Sequence, residues 1–235
     1  MRAQATIVRS GLCKTSVRHA PRPSPSLFFY PGLRSRAVWE SGDFAWAKPL
    51  AAQTGAIAEE AAAVRSEPSD YEPGEHQLHG GGDWAWHSYV QKGKRQPGFR
   101  ERCPATAAAL DELVGPDLFL GVPFGFAFFS TLGPGASIAP HFGPMNLRLR
   151  CHLPLVVPAG GDVGLRVGTD RVGYARGEAV VFDDAYEHEA WNGTDGERVV
   201  LLFDVWHPDL HADEREAVRE MFEGALSGKA EQAAS

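Results

Sequence analysis

Residues 147–155 read L-R-L-R-C-H-L-P-L. In an extended chain alternate side chains point to opposite faces. One face then carries Arg148, Arg150 and His152, and the other Leu147, Leu149, Cys151, Leu153 and Leu155. The apolar face belongs to a core. The polar face admits two readings: a solvated surface, or the wall of an anion-binding cavity inside a barrel. Arginine suits the second because its planar fork matches a carboxylate bidentately.

Other candidates flank this strand. His141 lies in P-H-F-G-P-M-N, a loop shaped by two prolines and Gly143. His188 lies in F-D-D-A-Y-E-H-E-A-W-N, crowded by Asp183, Asp184, Glu187 and Glu189. Carboxylates beside a histidine can support a metal ligand, or simply form an acidic turn. Arg198 opens a further apolar segment, and His207, in V-W-H-P, reads as a packing or capping residue. Two imidazoles with arginines nearby are what an Fe(II) site with a dicarboxylate co-substrate needs. Each histidine alone is equally a structural residue.

The elements that must position these groups fall into two kinds. Residues 44–65 are alanine-rich and helical in pattern, and 103–113 read as a short helix with Pro104 in its first turn. Residues 66–74 form a loop, Gly80, Gly81 and Gly82 a break, and 84–90 a β-prone aromatic stretch. From residue 118 onward short β-prone segments (124–131, 147–157, 163–167, 178–182 and 199–206) alternate with Gly/Pro turns. Residues 213–222 close the chain as a helix. Helices first, then many short strands, predict a mainly β domain with flanking helices, a barrel or double-sheet sandwich.

The whole-chain properties narrow the class of function. At 235 residues the chain is long enough for one substantial core. A net charge of −7 argues against a general nucleic-acid binder. No apolar run reaches the ~18–20 residues of a membrane helix. Three scattered cysteines, Cys13, Cys103 and Cys151, make no disulfide framework and no C-x-x-C site, as expected in a reducing compartment such as the cytoplasm. The first 25 residues lack acids and carry several arginines, and residues 20–26 (A-P-R-P-S-P-S) form a linker. This segment reads as a disordered tail or an organellar transit peptide. The expected organisation is a tail over 1–25, a catalytic domain over 26–226 and a second tail over 227–235.

The long motifs together resemble one family, the aspartyl/asparaginyl β-hydroxylases. H-F-G-P-M-N-L-R-L-R-C-H-L-P-L, F-D-D-A-Y-E-H-E-A-W-N and F-D-V-W-H-P occur in the family's order, and the opening S-L-F-F-Y-P-G-L is also similar. The likeness runs from about Ser26 to Leu210. It implies a double-stranded β-helix, the cupin-like jelly roll, that binds Fe(II), 2-oxoglutarate and O2. It implies His141 and His188 as iron ligands, with Gly143 where most related oxygenases have a ligating aspartate and with water in that place. It implies that Arg198, helped by Ser130, meets the distal carboxylate of 2-oxoglutarate, and His152 the carboxylate beside the keto group. Arg148 or Arg150, Arg150 by preference, then meets a substrate carboxylate. The implied reaction is hydroxylation of an unactivated carbon, at Cβ of an aspartyl or asparaginyl residue in a peptide or protein, or on a small acidic molecule. A non-oxygenase cupin, a metal-dependent isomerase or a small-ligand-binding module, is the alternative on the same fold.

Overall fold

A computed structural model describes residues 21–72, 78–79 and 83–233. Cys13, most of the expected N-terminal tail and the break at Gly80, Gly81 and Gly82 lie outside the described residues.

The elements follow the hydrophobic patterns. A short strand β1 (Val38–Trp39) precedes helices α1 (Ala47–Ala51) and α2 (Thr54–Val64), which divide the expected 44–65 helix. Strands β2 (Leu78–His79), β3 (Trp84–Gln91) and β4 (Lys94–Arg95) lead to helices α3 (Phe99–Arg102) and α4 (Pro104–Ala108). The expected helix over 103–113 continues past α4 as a widened, π-type turn over Ala109–Val114. That turn buries Leu110 and Val114 while aiming Asp111 at Tyr89 and Arg95. Then come β5 (Ala127–Leu132), β6 (Ser137–His141), β7 (Arg148–Val156), β8 (Asp162–Val167), β9 (Asp170–Gly173), β10 (Val180–Phe182), β11 (His188–Gly193) and β12 (Arg198–Trp206). The closing helix α5 spans Ala212–Ala233, so it runs on into the stretch expected as a tail.

Two antiparallel sheets form. The larger has the order β1-β10-β7-β12-β5-β3-β4 and the smaller β2-β6-β11-β8-β9. The crossed connectivity of two facing sheets is that of a jelly roll, the double-stranded β-helix. Leu132 and Phe182 of the larger sheet pack directly on Ile138, Leu165, Val167 and Ala190 of the smaller. The outer face of the larger sheet is sealed by the helices: Leu149, Cys151, Leu153, Leu201 and Phe203 share one core with Leu50, Ile57, Val64, Phe99 and Leu110.

This packing decides between the two readings of β7. Its leucine face lies under the helices and is buried at 0–1% exposure. The face with Arg148, Arg150 and His152 points inward between the sheets, not to solvent. The register lines up the same inner face of β12, with Leu202 beside His152, Asp204 beside Arg150 and Trp206 beside Arg148. Cys103 and Cys151 are buried free thiols. Among the described residues no helix is long and apolar enough to cross a membrane.

Candidate functional site

His141 ends β6 and His188 begins β11. The two strands pair so that these residues are direct cross-strand neighbours. Their ring centroids are 4.1 Å apart. Nδ1 of His141 lies 2.8 Å from the carbonyl of Ala139, and Nδ1 of His188 lies 3.0 Å from that of Tyr186. A carbonyl only accepts, so each Nδ1 carries the proton and donates it. Both Nε2 lone pairs are then free to ligate a metal. Burial lowers the basicity of His188 well below the ordinary histidine value, and the adjacent His141 imidazole disfavours a second proton on the pair. Neutral imidazole is the metal-binding form.

Gly143 accounts for the missing third side chain. A Cβ built there would come within 2.5 Å of both carboxylate oxygens of Asp184. The backbone N–H of Gly143 also donates to the Asp184 carbonyl at 2.6 Å. The space of a residue-143 side chain is thus taken by a carboxylate from the β10–β11 loop. Its Oδ1 is buried and has no hydrogen-bond partner. Among the described residues no group of three or more His, Cys, Asp or Glu side chains forms a metal-ligating set.

Asp184 also anchors a buried charge network. Arg148 donates to Asp184 at 2.6 Å and to Asp204 at 2.8 Å. Arg150 donates to Asp204 through Nε at 2.9 Å and Nη2 at 3.2 Å. Burial works to raise the pKa of Asp184, but Arg148 and Arg150 overcome it and hold the carboxyl below its ordinary value. Arg148 is only 2% exposed, and both ends of its fork are committed. It does not reach the cavity, so the expectation that either arginine could meet substrate narrows to Arg150. Arg150, and not Arg148, lines the cavity between the sheets.

The neighbouring Asp183 behaves differently. Burial pushes its carboxyl up to about 8, against a single hydrogen bond from the Ala185 N–H. It therefore holds a proton in the folded protein that it releases near 3.8 when unfolded. A folded state that binds the extra proton loses stability as pH rises between those values. Asp183→Asn keeps the acceptor oxygen and removes the titration. Its stability advantage over the unsubstituted protein should grow from about pH 4 to about pH 8 and then level off, as read from urea midpoints across that range.

One cavity between the sheets is lined by Ser130, His141, Arg150, His152, His188 and Arg198. At its inner end Arg198 is 1% exposed, and Nε, Nη1 and Nη2 all lack a hydrogen-bond partner. Five donors on a buried, always-charged group without an acceptor are costly. Burial pulls the guanidinium below its ordinary pKa, and the Tyr174 ring stands 5.8 Å from it. Ser130 accepts a 3.0 Å bond from Trp84 Nε1, which leaves its own hydroxyl proton to donate. His152 bonds Tyr174 through Nδ1 at 2.8 Å, while its Nε2 is buried and unpartnered. Unpartnered donors at one end and two metal-ready imidazoles at the other fit a dicarboxylate that bridges a metal and Arg198. His207, outside the cavity, donates to the Arg34 carbonyl at 3.0 Å and is a packing residue.

Three contributors lay beyond the sequence reading of the site. Asp204 interrupts an otherwise apolar β12, and a lone acid in such a run signals a buried partner. Asp184 was indistinguishable from Asp183. Tyr174 follows β9 in V-G-Y-A-R, with no local signal at all.

Comparison with known proteins bears on the same residues. A family profile described as aspartyl/asparaginyl beta-hydroxylase matches residues 51–208. The human aspartyl/asparaginyl beta-hydroxylase is 31% identical over 197 residues, 82% of this chain and 26% of that protein. The mouse aspartate beta-hydroxylase domain-containing protein 2 is 37% identical over 147 residues, 60% of this chain and 41% of that protein. The chain thus spans well under half the length of these relatives. Among solved structures, a 2OG-Fe(II) oxygenase family oxidoreductase from Burkholderia pseudomallei aligns with a TM-score of 0.47 at 15% identity, covering 76% of this chain and 94% of that one.

Proposed function

The chain belongs to the aspartyl/asparaginyl β-hydroxylase family, and from that premise we propose that it is an Fe(II)- and 2-oxoglutarate-dependent dioxygenase. Its reaction hydroxylates an unactivated carbon, at Cβ of an aspartyl or asparaginyl residue or of a related small acidic substrate. The observation that carries this reading is Arg198, a fully buried guanidinium whose donors have no acceptor among the described residues.

His141 and His188 would hold Fe(II) through Nε2. Arg198 and Ser130 would bind the distal carboxylate of 2-oxoglutarate, and His152 the carboxylate beside the keto group. When bound, iron, 2-oxoglutarate and O2 together supply the oxidant, and the co-substrate leaves as succinate and CO2. The chain's own residues bind and orient. The backbone carbonyls of Ala139 and Tyr186 fix both imidazoles in the ligating tautomer. Asp184 offers an acceptor beside Gly143 for water in the third protein-ligand place. Arg150 lines the cavity, with Nη1 3.7 Å from Asp184. It is the group placed to take a substrate carboxylate. The apolar lining from Phe182 and Leu202 limits water at the reacting end.

The test is to incubate the protein with Fe(II), 2-oxoglutarate, O2 and a panel of Asp- and Asn-containing peptides and free amino acids. The expected product gains the mass of one oxygen atom, with one succinate formed per product. His188→Ala should reduce this by more than the ~10–100-fold typical of losing a residue that only supports a metal ligand. Metal binding with no succinate on any substrate would instead favour the non-oxygenase cupin.

A further inference from the structure

We propose that Tyr174 is a positioning residue for the co-substrate: its hydroxyl donates to Nδ1 of His152 and so fixes that imidazole as the Nε2–H tautomer, with the proton directed into the cavity. The proposal rests on the 2-oxoglutarate reading for its consequence, but not for its geometry.

The argument begins with what His152 can do. It is 5% exposed, in the middle of β7, on the inner face. Its Nδ1 is 2.8 Å from the Tyr174 hydroxyl, and its Nε2 has no partner. Burial, with Arg198 and Arg150 nearby, pulls its pKa well below the ordinary value. The ring is therefore neutral and carries one proton. If that proton sat on Nδ1, Nε2 would present a lone pair to the cavity. A lone pair repels a carboxylate. If the proton sits on Nε2, the cavity gains a donor beside Arg198, and Nδ1 must accept.

Only a donor can satisfy an accepting Nδ1, and Tyr174 is one. Burial pushes its phenol up to about 12, against the pull of Arg198, so the hydroxyl keeps its proton at neutral pH. In the opposite arrangement the Tyr174 hydroxyl would accept from Nδ1, and its own proton would have no protein acceptor among the described residues. The Nε2–H form pairs the Tyr174 proton with Nδ1 and leaves a single open donor, Nε2–H, facing the cavity. The same side chain places its ring 5.8 Å from the Arg198 guanidinium. One residue just after the edge strand β9 thus bonds His152 and places its ring by Arg198, two of the donors proposed to meet the co-substrate.

Two measurements test this on the full chain loaded with Zn(II) in place of iron. The first is long-range ¹H–¹⁵N NMR of histidine-labelled protein without 2-oxoglutarate, which reads the His152 tautomer directly. The expected result is Nε2–H in the unsubstituted protein and a mixture in Tyr174→Phe, a substitution that removes only the hydroxyl. The second is calorimetric titration with 2-oxoglutarate. Tyr174→Phe should weaken binding about tenfold, the size of one lost buried hydrogen bond, with Zn(II) affinity unchanged. As a further check, in turnover of the Fe(II)-loaded protein the KM for 2-oxoglutarate should rise by a similar factor while kcat stays within about twofold.

An Nδ1–H signal for His152 in the unsubstituted protein overturns the proposal, and so does equal 2-oxoglutarate affinity in the two proteins. A purely structural role predicts weakened Zn(II) binding or a kcat loss instead of a KM rise. If the unsubstituted protein fails to bind 2-oxoglutarate at all, the co-substrate reading falls, and with it the consequence for binding. The tautomer measurement still decides what Tyr174 does to His152.

Discussion

Arg198→Met should make the protein more stable and nearly blind to 2-oxoglutarate. The two effects share one cause. Arg198 is buried with no acceptor for any of its three nitrogens, and a buried polar group left unpaired costs ~1–3 kcal/mol, more when charged. Methionine fills a similar volume without donors. The co-substrate-free variant should therefore gain about that much stability, seen as a rise of several degrees in Tm. The same change removes the charge proposed to meet the distal carboxylate, and binding should weaken by at least ~100-fold, since hydrogen bonds to charged groups are the strong ones. Ser130 offers one neutral hydroxyl donor and cannot replace a guanidinium charge. Stability spent on an unfilled binding group is expected at a functional site. A variant that is less stable, or that binds 2-oxoglutarate normally, would show that Arg198 belongs to the scaffold.

The second large effect is on the fold itself. Asp204 is 0% exposed and accepts from Arg148, from Arg150 twice, and from the backbone N–H of Phe126 at 3.0 Å. Asp204→Ala leaves Arg148 buried with only Asp184 to balance two guanidiniums. Removing one partner from a buried ion network costs ~3–5 kcal/mol. That is a large share of the ~5–15 kcal/mol that holds a typical domain. The urea midpoint should fall steeply with the slope unchanged. A change within ~0.5 kcal/mol, the range of ordinary surface substitutions, would mean that the network does not hold β7, β12 and the β10–β11 loop together. The contrast with Arg198 is instructive: removing an unpaired buried arginine should stabilise the fold, whereas stripping buried Arg148 of one of its carboxylates should destabilise it.

Much of this arrangement was legible in the sequence, for reasons that differ by residue. The alternation of 147–155 separated a leucine face from a basic face because strand geometry has period two. The sequence left open whether the basic face met water. Only the second sheet, built from residues far away in the chain, closes over it. His141 and His188 were each ambiguous, and become a pair through the register of β6 and β11, which local patterns do not encode. Choosing between Arg148 and Arg150 likewise required knowing that Asp184 of the β10–β11 loop and Asp204 together take both ends of the Arg148 fork. Gly143 was read as the place of a missing ligand; that Asp184 occupies its space follows from a loop–loop contact. The short helices were blurred for a simpler reason. Alanine-rich segments carry high propensity throughout, so breaks such as the one between α1 and α2 leave little trace.

The account stands most directly on anaerobic titration of the protein with Fe(II) and then 2-oxoglutarate, followed by visible absorption. Bound through His141 and His188 with the co-substrate anchored at Arg198, the pair should give a weak metal-to-ligand charge-transfer band. The band should saturate at one co-substrate per chain, vanish in His188→Ala and require far more 2-oxoglutarate in Arg198→Met. A protein that binds iron yet shows no such band at any 2-oxoglutarate concentration would contradict the account.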